Sequence, residues 1–350
     1  MTIQILRGPE IAPIQPLRDK TIAVIGFGNQ GTAHALNLRD SGLHVTVGNR
    51  PNTANFNRAK QSGFDAKPIV QAVGEADLVI IALPDETQPE VYSQQIAPNL
   101  RPGSCIGFLH GFCIRYELIQ PDENIGVIMV APKGPGATLR QRYEMGLGLP
   151  CLFAVNQESS QSDAEAIGLA WAGGIGCARA GIILTTFAAE TETDLFGEQS
   201  VLCGGLTSLI LIAFETLVEA GYPPELAYLE CCHEAKQVTD LIYERGLAET
   251  MKAISNTAEF GTYKAGPILI DESVRHRMKI LLQEIQDGTF ARAMTDDHAE
   301  GFPWFEKQRD KLALHPIEPA GEVIRSLTSA RSKPADQDSP RPGGQPADDS

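Results

Sequence analysis

Asp194 and Glu198 stand four residues apart in TETDLFGEQ, and Glu230 and Glu234 repeat that spacing in LECCHEAK. On a helix, residues i and i+4 share a face, so each pair projects two carboxylates in one direction. Like charges at that spacing oppose helix formation unless a cation lies between them. If both pairs turn toward one site, the four carboxylates of Asp194, Glu198, Glu230 and Glu234 are prohibitively costly to desolvate alone, whereas two divalent cations cancel them. The donors are hard oxygens with no Cys or His among them, which favours Mg²⁺ over zinc. One acidic pair is more simply a solvated helix face. Two pairs in apolar, weakly charged surroundings, such as the FGEQSVLCGGLTSLILIAF that carries Glu198, shift the reading toward a buried metal site.

A second chemistry opens in TIAVIGFGNQGTAHALNLRDSG: a β-branched strand, then Gly26-x-Gly28-x-x-Gly31, then an Ala-rich helix. Gly26 allows a tight turn, Gly28 lets the backbone approach a pyrophosphate, and Gly31 lets helix and strand pack closely. Where an NAD-type fold places Asp or Glu on the ribose hydroxyls, this chain has Asn49 and Arg50, with Thr53 and Asn55 in the loop beyond. A guanidinium with hydroxyl and amide donors suits a 2′-phosphate, so NADPH is expected over NADH. Three more strand ends carry polar groups at the edge where open sheets bind ligands. ALPDETQ offers Asp85, Glu86, Thr87 and Gln88 to the nicotinamide end; FLHGF leaves His110 just past a strand; MVAPKGPG leaves Lys133 in a stiff Pro/Gly turn. His34, His44, His233, His276, His298 and His315 lack such placement.

The elements that must position these groups follow from the pattern. Over residues 1–186, the β-branched runs TIAVIG, HVTVG, DLVIIALP, SCIGFLH, IGVIMVAP, CLFAV and AGIILTT alternate with polar, Ala-rich stretches, which predicts a parallel sheet with crossover helices. Over 187–327 long helical patterns take over, with Gly221 and Gly246 as helix stops and Pro223 and Pro224 opening the next helix. Residues 328–350 are rich in Pro, Ser, Asp and Gly and read as a disordered acidic tail. With 44 acidic against 29 basic residues and no basic patch, nucleic-acid binding is not expected. Runs such as LTSLILIAF read as too short to span a bilayer, the N-terminus lacks a signal-peptide core, and the seven cysteines form no CxxC pair; a cytoplasmic enzyme with reduced cysteines is expected.

Taken in order, GFGNQGTAHALNLRDSG, PEVYSQQIAPNLRPG, LHGF, APKGPG, TETDLFGEQSVLCGG, ETLVEAGYPPELAYLECCHEAK, DLIYERGL, ISNTAEFGTYKAGP and HPIE resemble the short-chain form of ketol-acid reductoisomerase, from about residue 5 to 327. The resemblance implies a Rossmann-like NADPH domain and a knotted all-helical domain that dimerises, each active site drawing on two chains. It implies Mg²⁺ ligation by Asp194 and Glu198, and by Glu230 and Glu234 of the second chain. His110, Lys133 and Glu234 fall on catalytic positions, and Ser255 on the contact to the substrate carboxylate, with Ile254 and Ala258 on the apolar side. Gly26, Phe27, Gly28, Asn29, Gln30, Gly31, Arg50, Thr53, Asn55, Asp85, Glu86, Thr87, Gln88 and Gly136 fall on cofactor positions. The implied substrate is 2-acetolactate or 2-aceto-2-hydroxybutyrate, in branched-chain amino-acid synthesis. Ala137 and Thr32 stand where the family commonly has His, Arg115-Tyr116 where it has His-Phe, and Pro51 where serine is frequent. These departures admit a paralogue that acts on a related 2-keto acid, and they loosen the NADPH expectation toward NADH.

Overall fold

A computed structural model describes residues 3–329. By contact it divides into two units: one runs up to Glu198 and is joined by Lys279–Glu300, and the other comprises Gln199–Met278 and the chain from Gly301. The acidic tail expected over 328–350 lies, beyond Ser329, outside the described residues.

The first unit is built on a nine-stranded sheet: β1 (Ile5–Leu6), β2 (Thr21–Ile25), β3 (His44–Gly48), β4 (Asp65–Lys67), β5 (Leu78–Ile81), β6 (Cys105–Phe108), β7 (Gly126–Pro132), β8 (Cys151–Gln157) and β9 (Ile182–Leu184), in the order β1-β9-β8-β7-β6-β5-β2-β3-β4. From β4 to β7 neighbouring strands are parallel. The expectation of a parallel sheet holds from β4 to β7 and is corrected at one side, where β8 runs antiparallel to β7 and β1 antiparallel to β9. β1 and β4 had no pattern of their own, because strands of two and three residues are too short to show a period.

Successive residues of β2 serve different cores, as alternation across a strand requires. Ile22 and Val24 join the cluster around Trp171, Leu38 and Phe56, while Ala23 and Ile25 join the one around Phe108, Phe112 and Ile96. Both faces are therefore covered, which is why β5, β6 and β7 are buried along their whole length and read as continuous apolar runs. The second cluster also contains Phe187 and Leu195 of the helix Phe187–Gly197, and Ile285 and Ala291 from the returning segment.

In the second unit, Phe214, Ala227, Tyr228, Ile317, Ala320 and Ile324 form a small core between the helices Gly204–Glu219, Pro224–Tyr228 and Ile317–Ser329. Gly221 and Gly246 adopt positive φ at helix ends, and Pro224 opens its helix. Among the described residues π turns occur at Tyr92–Ile96, Glu198–Leu202 and Leu229–His233, and the last two each touch one of the acidic pairs. One expectation is corrected here. The apolar run is not confined to LTSLILIAF: it belongs to a 33-residue helix, Phe187–Glu219, long and apolar enough by length and composition to cross a membrane. Its first third, however, carries Glu190, Glu192 and Asp194, and Glu190 is only 1% exposed in ion pairs within the α/β unit.

His34 is fully buried in the first core, where its Nδ1 accepts the indole N–H of Trp171 at 3.0 Å. Burial holds its pKa down at about 3, well below the ordinary 6.5. The unfolded chain therefore binds a proton between these values that the folded chain refuses. Stability from this group is complete above about pH 6.5 and falls with pH, by about 2 kcal/mol at pH 5. Urea unfolding at pH 7.5 and 5.0 should show this drop in the wild type and a smaller one in His34→Gln; equal drops would refute the assignment.

Candidate active site and dinucleotide cleft

The chain leaves β2 toward β3 and β4 on one side and returns to β5 on the other, so a crevice opens at the carboxyl ends of β2 and β5. Gly26 turns there with φ near 100°, and a Cβ on it would lie 2.5 Å from the carbonyl oxygen of Ala82. The following helix, Asn29–Asp40, starts without a side-chain cap on Gly28, around which a Cβ would meet nothing within 4 Å. Uncapped helical N–H groups beside open space are a ready anion site. Gly136 closes the loop from the far side, since a Cβ there would stand 2.1 Å from the carbonyl oxygen of Asn29.

Of the seven buried side-chain polar atoms without a hydrogen-bond partner among the described residues, three lie in the loops assigned to the cofactor: Gln30 Oε1 after β2, Asn49 Nδ2 after β3 and Gln88 Oε1 after β5. Buried polar atoms left unpaired are costly, so this distribution fits a polar ligand along the edge. Arg50 is exposed and makes no ion pair among the described residues. Thr53 caps the helix Ala54–Gln61, accepting from Phe56 N at 3.3 Å while donating to the Arg50 carbonyl at 2.8 Å. Asn55 follows in that first helical turn. Asp85–Thr87 form one 3-10 turn, and the Gln88 amide donates back to Leu83 O and Asp85 Oδ1. Burial lifts Asp85 to about 6 despite the opposing charge of His110. Arg58, which the sequence reading passed over, donates to the carbonyl of Phe27 inside the Gly-rich turn.

Beyond β6 and β7 the expected His110 and Lys133 meet the helix Phe187–Gly197. Lys133 Nζ donates to Glu190 Oε1 and to Asp194 Oδ1, each at 2.7 Å. His110 Nδ1 lies 3.0 Å from Glu190 Oε2 and 3.7 Å from Asp194 Oδ2, and the Gly111 N–H donates to Glu190 Oε2 at 3.0 Å. Burial disfavours the His110 imidazolium, but the hydrogen bond and charge of Glu190, with Asp85 and Asp194, outweigh it and lift the pKa to about 9. Burial likewise disfavours the Glu190 carboxylate, yet His110 and Lys133 hold it down at about 2. Glu198, one turn further on, is raised by burial and by the charge of Asp194.

Glu190 is a second residue, after Arg58, that the sequence reading missed. Its signal was present: it precedes Asp194 by the same four residues that separate Asp194 from Glu198, extending the acidic stripe by one turn. The ligand atoms of His110, Glu190 and Asp194 lie within 4.8 Å of one another, and Asp194, with Glu198 on the same helical stripe, offers the hard oxygen donors that fit a divalent cation such as Mg²⁺. The remaining predicted residues belong to the helical unit. Glu230 and Glu234 are both exposed there, one within and one just after the π turn. Ser255 caps the helix Asn256–Leu269 by accepting from Ala258 N at 3.2 Å, with Ile254 immediately before it.

A Gly-rich strand-turn-helix at the switch point of an open sheet, beside a Lys-His-carboxylate cluster on the same edge, defines a nicotinamide-dinucleotide-dependent oxidoreductase. The fold alone is shared with a semialdehyde dehydrogenase NAD-binding protein from Cupriavidus necator, at 20% identity and TM-score 0.58 over 77% of this chain and 99% of that one. Far closer is an NADH-preferring ketol-acid reductoisomerase from an uncultured archean: 43% identity and TM-score 0.89 over 93% of this chain and 99% of that one. Residues 16–181 match the acetohydroxy acid isomeroreductase NADPH-binding domain, and residues 187–330 the ketol-acid reductoisomerase C-terminal domain. The chain belongs to the ketol-acid reductoisomerase family and is an enzyme that isomerises and reduces a small keto-acid substrate with a nicotinamide dinucleotide.

Glu190→Gln should leave Lys133 and His110 without their shared buried charge. In metal-free protein, NMR titration should place His110 near 9 in the wild type and return it toward the ordinary imidazole range in the variant, with turnover reduced by about 10- to 100-fold. An unchanged His110 titration would refute the pairing.

Proposed function

We propose that this enzyme converts 2-acetolactate or 2-aceto-2-hydroxybutyrate to the 2,3-dihydroxy-3-methyl acid, using two Mg²⁺ and NADPH. The observation that carries the reading is the convergence of Lys133, His110, Glu190 and Asp194 at the strand edge that also bears the Gly-rich turn. Asp194 and Glu198 of one chain hold the metals, together with Glu230 and Glu234 of a second copy. When bound, Mg²⁺ lowers the substrate hydroxyl's pKa, polarises its ketone and offsets the negative charge that develops as the alkyl group migrates. Held along the edge that bears Gly28, Asn29, Gln30 and Arg50, NADPH would supply the hydride for the reduction.

The chain's own residues do the positioning. Lys133, bridging Glu190 and Asp194, fixes both carboxylates and places an ammonium donor at the reacting oxygens. His110, held by Glu190, supplies a second positive group at the same edge. Glu234 exchanges the proton with substrate. Ser255, at a helix N-terminus, meets the substrate carboxylate, with Ile254 and Ala258 beside its alkyl group. In the helical unit Val201, Leu202, Leu209 and Ile212 are each at least half exposed; a second copy of the chain covers such a face and completes each site. The knotted path of the helical domain belongs to the same reading.

The cofactor reading rests on Arg50. Asn49, not an acid, follows β3, so no carboxylate is offered there to a ribose diol. Pro51 has no N–H and the Thr53 hydroxyl is committed to its cap, which leaves the 2′-phosphate mainly to the Arg50 guanidinium. NADPH is preferred by a margin that one residue sets, and NADH is used as well.

Oxidation of NADPH with acetolactate should require Mg²⁺ and vanish with EDTA. Activity that survives EDTA would instead indicate a plain reductase. Lys133→Ala and Glu198→Ala should each remove isomerisation, and survival of both partial reactions in either variant would refute these roles. Arg50→Ala should lower kcat/KM for NADPH by about tenfold or more, as expected for loss of a charge-assisted hydrogen bond, while leaving NADH turnover intact.

A further inference from the structure

Arg115 and Tyr116 follow His110 closely in sequence and fasten two separate helices. Arg115 Nε donates to Glu192 Oε1 at 2.9 Å, its Nη2 lies 2.9 Å from the same oxygen, and Nη2 also donates to the backbone carbonyl of Gln286 at 2.8 Å. The Tyr116 hydroxyl donates to the carbonyl of Ile285 at 2.8 Å, and the Gln286 amide donates to Glu192 Oε2 at 3.2 Å. Ile285 and Gln286 end the helix Glu272–Gln286, where the last carbonyls have no helical partner and the dipole favours a cation.

Glu192 lies between Glu190 and Asp194 on the helix Phe187–Gly197. Two residues correspond to about 200° of helical rotation, so Glu192 projects from the side opposite the acids that meet Lys133 and His110. Arg115 therefore grips the back of the helix whose front carries the site. The turn Phe112–Arg115 is closed by Arg115 N donating to Gly111 O at 2.8 Å, and the Gly111 N–H is the one that donates to Glu190. One short turn thus holds the helix on both sides. Ring contacts continue the connection, from Tyr116 to Phe112 at 5.0 Å and from Phe112 to His110 at 6.3 Å. The Arg115–Glu192 pair is sheltered, its side chains 27% and 19% exposed.

We propose that Arg115, acting through Glu192, is a positioning residue: it fixes the rotation of the helix Phe187–Gly197 about its axis, so that Glu190 and Asp194 stay aimed at Lys133 and His110. The inference rests on the reading that Asp194 and Glu198 hold Mg²⁺. It makes the readiness of the metal site depend on residues 285–286 being seated at the end of their helix.

The test uses the full chain as wild type, Arg115→Met, Arg115→Lys and Glu192→Gln, with MgCl₂ and NADPH as the probes. Calorimetry should give an Mg²⁺ dissociation constant about tenfold or more weaker in Arg115→Met and Glu192→Gln, with kcat lowered and NADPH binding unchanged. Arg115→Lys should recover only part of the loss, because an ammonium lacks the fork that spans Glu192 and the Gln286 carbonyl. Wild-type Mg²⁺ affinity in both Arg115→Met and Glu192→Gln would overturn the proposal, as would parallel losses of Mg²⁺ and NADPH affinity, which signal general loosening. Should Arg115→Met fail to fold, Glu192→Gln, which keeps the side-chain shape, decides the matter. A wild type that takes up no Mg²⁺ at all would instead remove the metal reading on which this one stands.

Discussion

A carboxylate buried to 1% exposure must be compensated or protonated, and Glu190 is compensated on every side. Lys133 from the end of β7, His110 from the end of β6 and the N–H of Gly111 all converge on it. This requirement binds the helix Phe187–Gly197 to the carboxyl edge of the sheet, since moving the helix away would leave an ammonium, an imidazole and an acid unmatched. The mutual shifts express the same constraint, with His110 raised to about 9 and Glu190 lowered to about 2. Asp194 shares Lys133 and so takes its orientation from the pair that Glu190 has already fixed.

The dinucleotide edge is organised differently, by absence of bulk. Gly26 and Gly136 bring backbone against backbone where any side chain would collide with Ala82 or Asn29, and Gly28 leaves its side of the helix N-terminus open. Arg50 stands out in solvent just beyond β3, and Arg58 reaches the carbonyl of Phe27 inside the turn. One edge of one sheet therefore presents an open, donor-rich turn next to a dense ionic cluster, which is what a coupled isomerisation and reduction needs within reach of one substrate.

The helical unit carries Glu230, Glu234 and Ser255 on exposed stretches around a small core. Both acidic pairs touch π turns, Glu198 opening one and Glu230 lying in the other. A π turn shifts the register of the side chains that follow it, and such turns concentrate at functional sites because they carry a structural cost that packing alone does not require. The i, i+4 arithmetic thus describes Asp194 and Glu198 better than Glu230 and Glu234, whose interval includes the π turn itself.

Long apolar strands announced themselves in the sequence because a strand buried on both faces must be apolar throughout, and β5, β6 and β7 are. The Gly-rich turn and the residues at strand ends were legible for a related reason: backbone geometry restricts which residue types can stand there. Glu190 was not legible as a partner of Lys133, 57 positions away, nor was the antiparallel entry of β8, because both depend on which distant surfaces finally meet. The same holds for Lys279–Glu300, whose pattern says helix but whose Ile285 and Ala291 pack into the core beside Phe108. By itself the sequence determined what is dictated locally, by periodicity, turn chemistry and the mutual repulsion of like charges. Only the tertiary structure decided which buried charges neutralise one another, since that is set by long-range packing that no local spacing encodes.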